Sequence, residues 1–384
     1  MNRSFRAAWV LAILAWLMLP TDFAEAGTNW ARLYGATMGS QFSAVRETTD
    51  GGFIVVGTAE SFGAGGSGVW CLKLDASGDI VWQKTYGGAN SDSAAAVEVT
   101  SDGGYLLVGR TKSFGAGNDD GWCLRIDASG NVLWQKTYGG AKSDGFNAVR
   151  VTSDGGFIVV GITDSFTWDG WLGDVWCLKL DASGNILWQK SYGSRSKDDE
   201  WAFDVGTASD GGYIVVAATS SGGAGWFDAW VLKLDAGGSM LWDKTYGGAM
   251  DDMLFDLAGT TADGGCILTG FASFNSQTGE GGEGWCIKLD AVGNIVWENT
   301  YDGAPQDACL TADGGCLLAG VTFASGAGGA DGYCAKLDSF GNVAWQKTYG
   351  GTNTDWVTGA DMTADGGYVL AGYTYNFGVS TYAS

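Results

Sequence analysis

Short runs of apolar residues alternate with glycine-rich polar turns along almost the whole chain. Residues 94–100 alternate between apolar and polar side chains, and a Ser-Asp-Gly-Gly turn at 101–104 follows them. Residues 105–110 are almost continuously apolar, and two further strand patterns follow at 121–126 and 132–137. Alternation with a period of two indicates a strand with one exposed face, and a short apolar run indicates a strand buried on both faces. This stretch therefore predicts four antiparallel strands, A to D, joined by tight turns.

The four-strand pattern recurs, and an Asp-Gly-Gly turn marks each unit at Asp50, Asp102, Asp154, Asp210, Asp263, Asp313 and Asp365. The units are about 51 residues long, close to the period of kelch-type propeller blades. We therefore predict an all-β fold over residues 27–384, a seven-bladed β-propeller of four-stranded antiparallel blades. The segment 29–35 matches only strand D, so we expect this N-terminal strand to join the last blade and close the ring. A truncated or open ring is the alternative, because residues 379–384 lack the apolar core of a strand C.

Tryptophan recurs at two positions of the unit. One set lies in strand D, at Trp30, Trp82, Trp134, Trp188, Trp242, Trp297 and Trp345. The other lies in strand C, at Trp70, Trp122, Trp176, Trp230 and Trp285, with Tyr333 in the sixth unit. We interpret both sets as packing between blades, where each indole can bury about 150–250 Å².

Carboxylates recur in four sets, two of them in the A–B and C–D turns, where aspartate accepts local N–H bonds. The third set follows strand D (Asp92, Asp144, Asp198, Asp252, Asp307, Asp355), and the fourth precedes the strand-C aromatic (Asp120, Asp174, Asp228, Glu283, Asp331). The D–A and B–C connections lie on one face, so these two sets predict two rings of acids there. We interpret the rings as a hydrogen-bonded loop network, or alternatively as a cation site or an acidic substrate mouth. No EF-hand loop supports calcium, which is kept as an option with Asp92, Asp144, Asp252 and Asp355 as metal candidates; no other cofactor is expected.

Departures from the repeat are the candidates for function. Four tryptophans outside the two sets, with nearby acids, are predicted to gather over the third and fourth blades: Trp168, Trp171, Trp201 and Trp226, beside Asp169, Asp198, Asp199 and Glu200. Exposed indole faces and carboxylates suit the C–H groups and hydroxyls of sugar rings, so we assign Trp168, Trp171, Trp201, Trp226, Asp169 and Glu200 to ligand binding. A glycoside hydrolase resembling an endoglucanase, with Asp198 or Asp199 as catalytic residues, is an alternative. A third is that these tryptophans only seal the blade junction of a structural envelope protein.

Composition and charge narrow the function further. The chain of 384 residues has no histidine and a net charge of -22. The first fact excludes histidine-based triads and metal sites, and the second disfavours nucleic acid, which needs clustered Lys and Arg. Residues 1–26 have basic, apolar and small-residue segments in the order of a signal peptide, so we expect an exported monomer, periplasmic or extracellular, that is not inserted in the membrane after cleavage. Its expected partner is a glycan or a surface protein.

The eight cysteines contain no C-x-x-C motif. Five occupy one strand-C position in different units, where neighbouring blades are about 10 Å apart, too far for a disulfide. We therefore expect mostly buried free thiols. Cys309 and Cys316 flank one A–B hairpin and are the pair best placed for a disulfide.

The stretch Leu-Asp-x-x-Gly-x-x-x-Trp, found at 74–82 and 180–188, resembles the tryptophan-docking repeat of quinoprotein-type propellers, with one residue fewer between Asp and Gly. The unit also resembles exported bacterial Asp-Gly-Gly repeats of no single activity, and distantly the bulb-type lectin repeat. The quinoprotein resemblance implies the propeller fold. It does not imply the quinone cofactor, because the chain lacks the adjacent-cysteine pair of those enzymes.

Overall fold

The computed structural model describes residues 30–35, 40–59, 66–167, 173–193, 199–221, 223, 226–275, 280–323, 326 and 329–375. These residues form twenty-six strands, arranged in six four-stranded antiparallel sheets and one two-stranded sheet. Strands follow one another within each sheet in chain order, so each four-stranded sheet is a blade with strands A to D. Among the described residues there is no helix long and apolar enough to cross a membrane.

The first three blades contain β1 (Gln41–Glu47), β2 (Phe53–Ala59), β3 (Gly68–Leu74) and β4 (Ile80–Tyr86); β5 (Asp92–Val99), β6 (Tyr105–Thr111), β7 (Asp120–Ile126) and β8 (Val132–Tyr138); β9 (Asp144–Val151), β10 (Phe157–Thr163), β11 (Asp174–Leu180) and β12 (Ile186–Tyr192). The next three contain β13 (Glu200–Thr207), β14 (Tyr213–Thr219), β15 (Asp228–Leu234) and β16 (Met240–Tyr246); β17 (Asp251–Thr260), β18 (Cys266–Asn275), β19 (Glu280–Leu289) and β20 (Ile295–Tyr301); β21 (Ala304–Leu310), β22 (Cys316–Thr322), β23 (Asp331–Leu337) and β24 (Val343–Tyr349). The two-stranded sheet contains β25 (Asp355–Met362) and β26 (Tyr368–Thr374).

The first strand of every sheet lies innermost. Each of these strands contacts the first strand of the next sheet, and β25 contacts both β21 and β1. The inner strands therefore surround a central channel, with the two-stranded sheet between the sixth and first blades. Because the strands are antiparallel, the A–B and C–D turns lie on one face of this ring and the B–C loops and D–A connections on the other.

The prediction of seven four-stranded blades is wrong. The described chain has six, and its seventh unit is the two-stranded sheet β25–β26. The closing strand predicted at 29–35 is not formed either, because the described residues 30–35 contain only an isolated bridge at Arg32. Residues 376–384, which follow β26 and lack the apolar run of a strand C, lie outside the described residues. Trp30 nevertheless docks on the C–D turn of the first blade, just as each strand-D tryptophan docks on the C–D turn of the blade that follows it. Its Nε1 donates to Ala76 O at 2.8 Å.

Each A–B hairpin is held by its aspartate. In the first, Asp50 accepts bonds from the hydroxyl of Thr48 at 2.5 Å and from the backbone N–H of Gly52 at 3.1 Å, while Gly51 adopts a φ of 75°. A buried lysine of strand C, Lys73, reaches the same carboxylate at 2.9 Å. The pairing recurs in all six four-stranded blades, with Arg125 as the cation in the second. The aspartates are therefore turn formers, as predicted, and they also satisfy a cation that the blade buries.

The strand-D tryptophans dock on the C–D turn of the following blade. Trp82 donates from Nε1 to Ala128 O at 3.0 Å, and the hydroxyl of Tyr86 donates to Gly130 O at 2.7 Å in the same turn. The strand-C set is buried, with Trp176 fully enclosed. The prediction that both sets pack between blades is confirmed.

All eight cysteines are free, and seven of them are buried, as predicted. Cys309 and Cys316 do not pair. Leu310 is the register partner of Cys316, and Leu317 that of Cys309, so the two cysteines are offset by one position on the hairpin. Successive side chains of a strand point to opposite faces, which sends Cys316 into the core between the fifth and sixth blades and Cys309 against the core between the sixth blade and the two-stranded sheet.

Candidate functional site

We call the face formed by the B–C loops and D–A connections the loop face. At the fourth blade it carries a first aromatic cluster, formed by Trp201, Trp226 and Phe227. Trp201 lies near the start of β13, and its ring stacks on Phe227 with centroids 5.2 Å apart and an interplanar angle of 28°. Phe227 is held in place because its N–H donates to Asp251 at 3.0 Å. Trp226 is 66% exposed, which is unusual for the largest apolar side chain. The cluster therefore presents one exposed indole beside a stacked aromatic pair.

Four of the residues predicted for this site lie outside the described residues: Trp168, Asp169, Trp171 and Asp198. The structure places Glu200 inside the blade, where it is 1% exposed and accepts bonds from the hydroxyls of Ser221 at 3.0 Å and Thr219 at 3.3 Å. Glu200 thus anchors the B–C loop that carries Trp226.

Two loop-face carboxylates, Asp164 after the third blade's β10 and Asp199 before the fourth blade's β13, interact through their charges. Burial raises the pKa of Asp164, and the charges of Asp144 and Asp199 raise it further, whereas the charges of Lys142 and Arg110 lower it. Asp199 is held by its backbone, whose N–H donates to the hydroxyl of Ser220 at 2.8 Å. Sequence reasoning selected Asp199 and missed Asp164, because a raised pKa depends on burial, which a single sequence does not reveal.

A second aromatic cluster lies on the loop face at the sixth blade and the two-stranded sheet. Trp356 stacks on Tyr373 at 6.0 Å with an interplanar angle of 10°, and Phe323 meets its edge at 6.5 Å. Phe323 is 70% exposed and Tyr375, in contact with Tyr373, is 61% exposed. Trp356 stands outside both repeating tryptophan sets, but nothing in the sequence connects it with the other three rings.

The predicted rings of loop-face acids form a buried network rather than an open acidic mouth. Asp92, for example, accepts bonds from the N–H of Gly88 and the hydroxyl of Ser113, both at 2.7 Å, and is 1% exposed. Asp144, Asp252 and Asp355 accept the equivalent D–A backbone bond at 2.8, 2.6 and 2.9 Å. No group of three or more His, Cys, Asp or Glu side chains in the described chain is arranged to hold a metal ion.

Two assignments within these rings are corrected. Glu200 begins β13 as Asp144 begins β9, because the D–A connection before it is two residues longer, and Asp198 lies outside the described residues. Asp307 lies inside β21 and belongs to the channel, because β21 starts at Ala304, soon after β20 ends.

The central channel is lined by charged residues of the inner strands. On the first three blades these are Arg46, Glu98 and Arg150. Glu98 lies between the two guanidinium groups, 3.7 Å from Nε of Arg46 and 3.5 Å from Nη1 of Arg150. Arg150 also donates to Asp204 of the fourth blade at 3.0 Å. These contacts connect four neighbouring inner strands.

On the remaining sheets the lining consists of four acids, which we name the channel acids: Asp204, Asp256, Asp307 and Asp361. Each accepts a backbone N–H from the next sheet: from Leu257 at 3.1 Å, Ala308 at 2.9 Å, Ala360 at 2.7 Å and Glu47 at 2.8 Å. Together with the arginines they form an unbroken circuit of side-chain bonds around the channel. The circuit includes β25, so it joins the two-stranded sheet to both of its neighbours.

A cavity lies on either side of this circuit. The cavity toward the A–B hairpins has a volume of about 250 Å³, with Arg46, Arg150, Cys309 and Asp361 in its wall. The cavity toward the loop face has about 130 Å³ and is lined by Asn147, Phe203, Phe255, Gln306 and Thr358 above the charged residues.

The fold is similar to those of solved β-propellers. The WD40 domain of Pan2 from Neurospora crassa matches with a TM-score of 0.55 and 12% identity, over 86% of this chain and 89% of that one. A mutant of the apocarotenoid oxygenase of Synechocystis matches with a TM-score of 0.51 and 13% identity, over 86% of both chains. BamB from Moraxella catarrhalis matches with a TM-score of 0.46 and 16% identity, over 97% of this chain and 93% of that one. No protein-family model and no curated protein matches the chain. The two matches with TM-scores above 0.5 support the β-propeller fold, and at these identities they establish nothing about activity.

Proposed function

We propose that the chain is an exported, non-catalytic binding module that holds a glycan on its loop face. The observation that carries this proposal is Trp226, which is 66% exposed beside the stacked pair of Trp201 and Phe227. An exposed aromatic face covers the C–H groups of a sugar ring at little conformational cost, because the ring has only two rotatable bonds. The second aromatic cluster offers a further contact surface for an extended chain.

The proposal extends to family and location. We place the chain with the exported Asp-Gly-Gly repeat propellers that resemble the quinoprotein superfamily, without a quinone cofactor. Export depends on the signal-peptide pattern of residues 1–26.

A glycan array probed with the full mature chain tests the proposal. We expect binding to one class of neutral polysaccharide and a loss of about tenfold in affinity for Trp226→Ala, the equivalent of about 1.4 kcal/mol. Phe340→Ala is the matched control, since Phe340 is 72% exposed but lies in a C–D turn on the opposite face. A blank array for the wild type contradicts glycan binding and directs the search to a surface protein. Equal losses in both variants contradict the site.

A second candidate, a glycoside hydrolase, is favoured by Asp164 and Asp199. A general acid needs a raised pKa, and burial supplies it at Asp164. Release of reducing sugar by the wild type and its loss in both Asp164→Asn and Asp199→Asn would support this candidate. Glycan binding without any hydrolysis would support the binding module instead.

A further inference from the structure

The acids of the fifth and sixth blades converge on one donor in the channel. Asp256 Oδ2 and Asp307 Oδ1 both accept the backbone N–H of Ala308, each at 2.9 Å. Two carboxyl groups that meet at one N–H are close enough to repel strongly if both are ionised. Asp256 is 7% exposed, so solvent does little to screen that repulsion.

The rest of the circuit does not neutralise this pair fully. The charged and titratable groups that face it from the neighbouring strands are Arg46, Glu98, Arg150, Asp204, Cys309 and Asp361. Arg150 pairs with Asp204 at 3.0 Å and lies 3.5 Å from Glu98, and Arg46 lies 3.7 Å from Glu98. Two guanidinium groups therefore face five carboxyl groups. No group of three or more His, Cys, Asp or Glu side chains among the described residues is arranged to hold a metal ion.

We propose that Asp256 and Asp307 share one proton at neutral pH, and that this proton closes the circuit of inner strands between the fifth and sixth blades. The protonated carboxyl group donates to its partner, and both groups keep their bonds to backbone N–H. The pair thus acts as a built-in pH-sensitive joint of the propeller, separate from the loop-face site.

The two carboxyls are not equivalent holders of the proton. Burial raises the pKa of Asp256 well above its usual value, and the neighbouring Asp307 and Asp204 raise it further. Burial also raises the pKa of Asp307, but Arg46 and the N–H of Ala360 favour its ionised form. The proton therefore resides mainly on Asp256.

The direction of the pH effect follows from these raised pKa values. Above the ordinary aspartate pKa the unfolded chain loses the proton and the folded chain keeps it, so stability declines as pH rises toward the folded-state pKa. An asparagine in place of Asp256 would be a fixed copy of the protonated acid, because its amide accepts from Ala308 and donates to Asp307 without any proton to lose. The Asp256→Asn variant should therefore be at least as stable as the wild type at mildly alkaline pH.

The test compares thermal unfolding of the full chain between about pH 5 and about pH 8. We expect the wild-type Tm to fall by about 2–4 °C more over this interval than the Tm of Asp256→Asn. Asp204→Asn is the matched control, since it alters another channel acid, the one paired with Arg150. This control should lower the Tm at every pH and keep most of the wild-type slope, because Asp204 only adds to the raised pKa of Asp256 and the pair still shares its proton. Equal slopes in the wild type and Asp256→Asn would overturn the proposal.

Infrared spectroscopy supplies a readout that a purely structural role would not move. A protonated carboxyl group has a carbonyl stretch separate from that of a carboxylate. The wild type should show this band at pH 7, and the Asp256→Asn variant should lack it. In Asp307→Asn the band should disappear at a lower pH than in the wild type, because the neighbouring charge no longer raises the pKa of Asp256 and only burial and Asp204 still do. Absence of the band from the wild type at pH 7 overturns the proposal. A Tm that calcium raises in the wild type but not in Asp256→Asn would overturn it too, by assigning the excess charge to a metal ion.

Discussion

Arg150 of the third blade donates to Asp204 of the fourth at 3.0 Å, and the two side chains are 22% and 6% exposed. The same guanidinium lies 3.5 Å from Glu98, so its loss would leave Asp204 without a cationic partner and Glu98 with Arg46 alone. An uncompensated buried charge is one of the few changes that cost several kcal/mol.

We expect Arg150→Met to lower the free energy of unfolding by about 3 kcal/mol, as read from urea denaturation. The control is Arg32→Met, which removes the partner of Asp79 at 3.4 Å where both side chains are solvent-accessible at 45% and 70%. That variant should change the free energy of unfolding by less than about 1 kcal/mol. Similar losses in the two variants would mean that the channel circuit contributes no more than a surface pair.

Because of the hairpin aspartates, we expect the thermal stability of the protein to fall in acid. Burial opposes their ionisation, but bonds from the hairpin threonine and the strand-C lysine prevail and lower the pKa values of Asp50, Asp154 and Asp313 to about 2. A depressed folded-state pKa contributes stability that is present above the ordinary value of about 4 and is lost as pH falls toward 2. The Tm should therefore drop steeply between about pH 4 and about pH 2.

Replacing these three residues together by Asn should lower the Tm at neutral pH and flatten this acid limb. The carboxylates are more than half exposed, so each contributes modestly and only the sum is measurable. An acid limb that keeps its wild-type slope in the triple variant would assign the effect to other carboxylates.

Alanine substitutions at two glycines distinguish the cost of backbone strain from the cost of disturbing a docked tryptophan. Gly103 and Gly184 both adopt the left-handed region, at φ 80° and 73°. A Cβ at Gly103 would meet nothing within 4 Å, whereas one at Gly184 would lie 2.8 Å from the ring of Trp134. Gly103→Ala should cost about 1 kcal/mol from its backbone alone.

Gly184→Ala should cost more, because the docked indole must also move. Thermal unfolding of the two variants side by side measures the difference. Equal Tm values would mean that the turn can shift away from Trp134 without cost.

Because the thiols are free, we expect the thermal stability of the protein to be the same with and without a reducing agent. Since all eight cysteines are unpaired, a reductant should leave the Tm unchanged. A thiol reagent should titrate eight groups after unfolding and very few before, because burial raises the pKa of Cys71, Cys123, Cys177 and Cys334. Fewer than eight groups in the unfolded chain would indicate a disulfide.

Much of the blade could be predicted from sequence because its determinants are local and repeated. The Asp-Gly-Gly hairpin and the docking position of Trp82 both follow from spacing within a single unit. The channel circuit could not be found in this way. Arg46 lies four residues before its hairpin aspartate, but Asp204 lies six before Asp210, so a search at fixed spacing does not align them. The aromatic cluster around Trp356 escaped for a related reason, since its rings come from two different units.

The bonds that join β25 to β1 connect opposite ends of the chain. Glu47 N–H donates to Asp361, 314 positions away, and the hydroxyl of Thr358 donates to Phe42 O across 316. Contacts of such separation in sequence carry a large loop-closure entropy and form slowly. The early blades must therefore wait, with β1 uncovered along one side, until the last repeat has been synthesised. Completion of the ring is thus expected to be the slow and aggregation-exposed step of folding, set by the time at which the C-terminal end of the chain arrives.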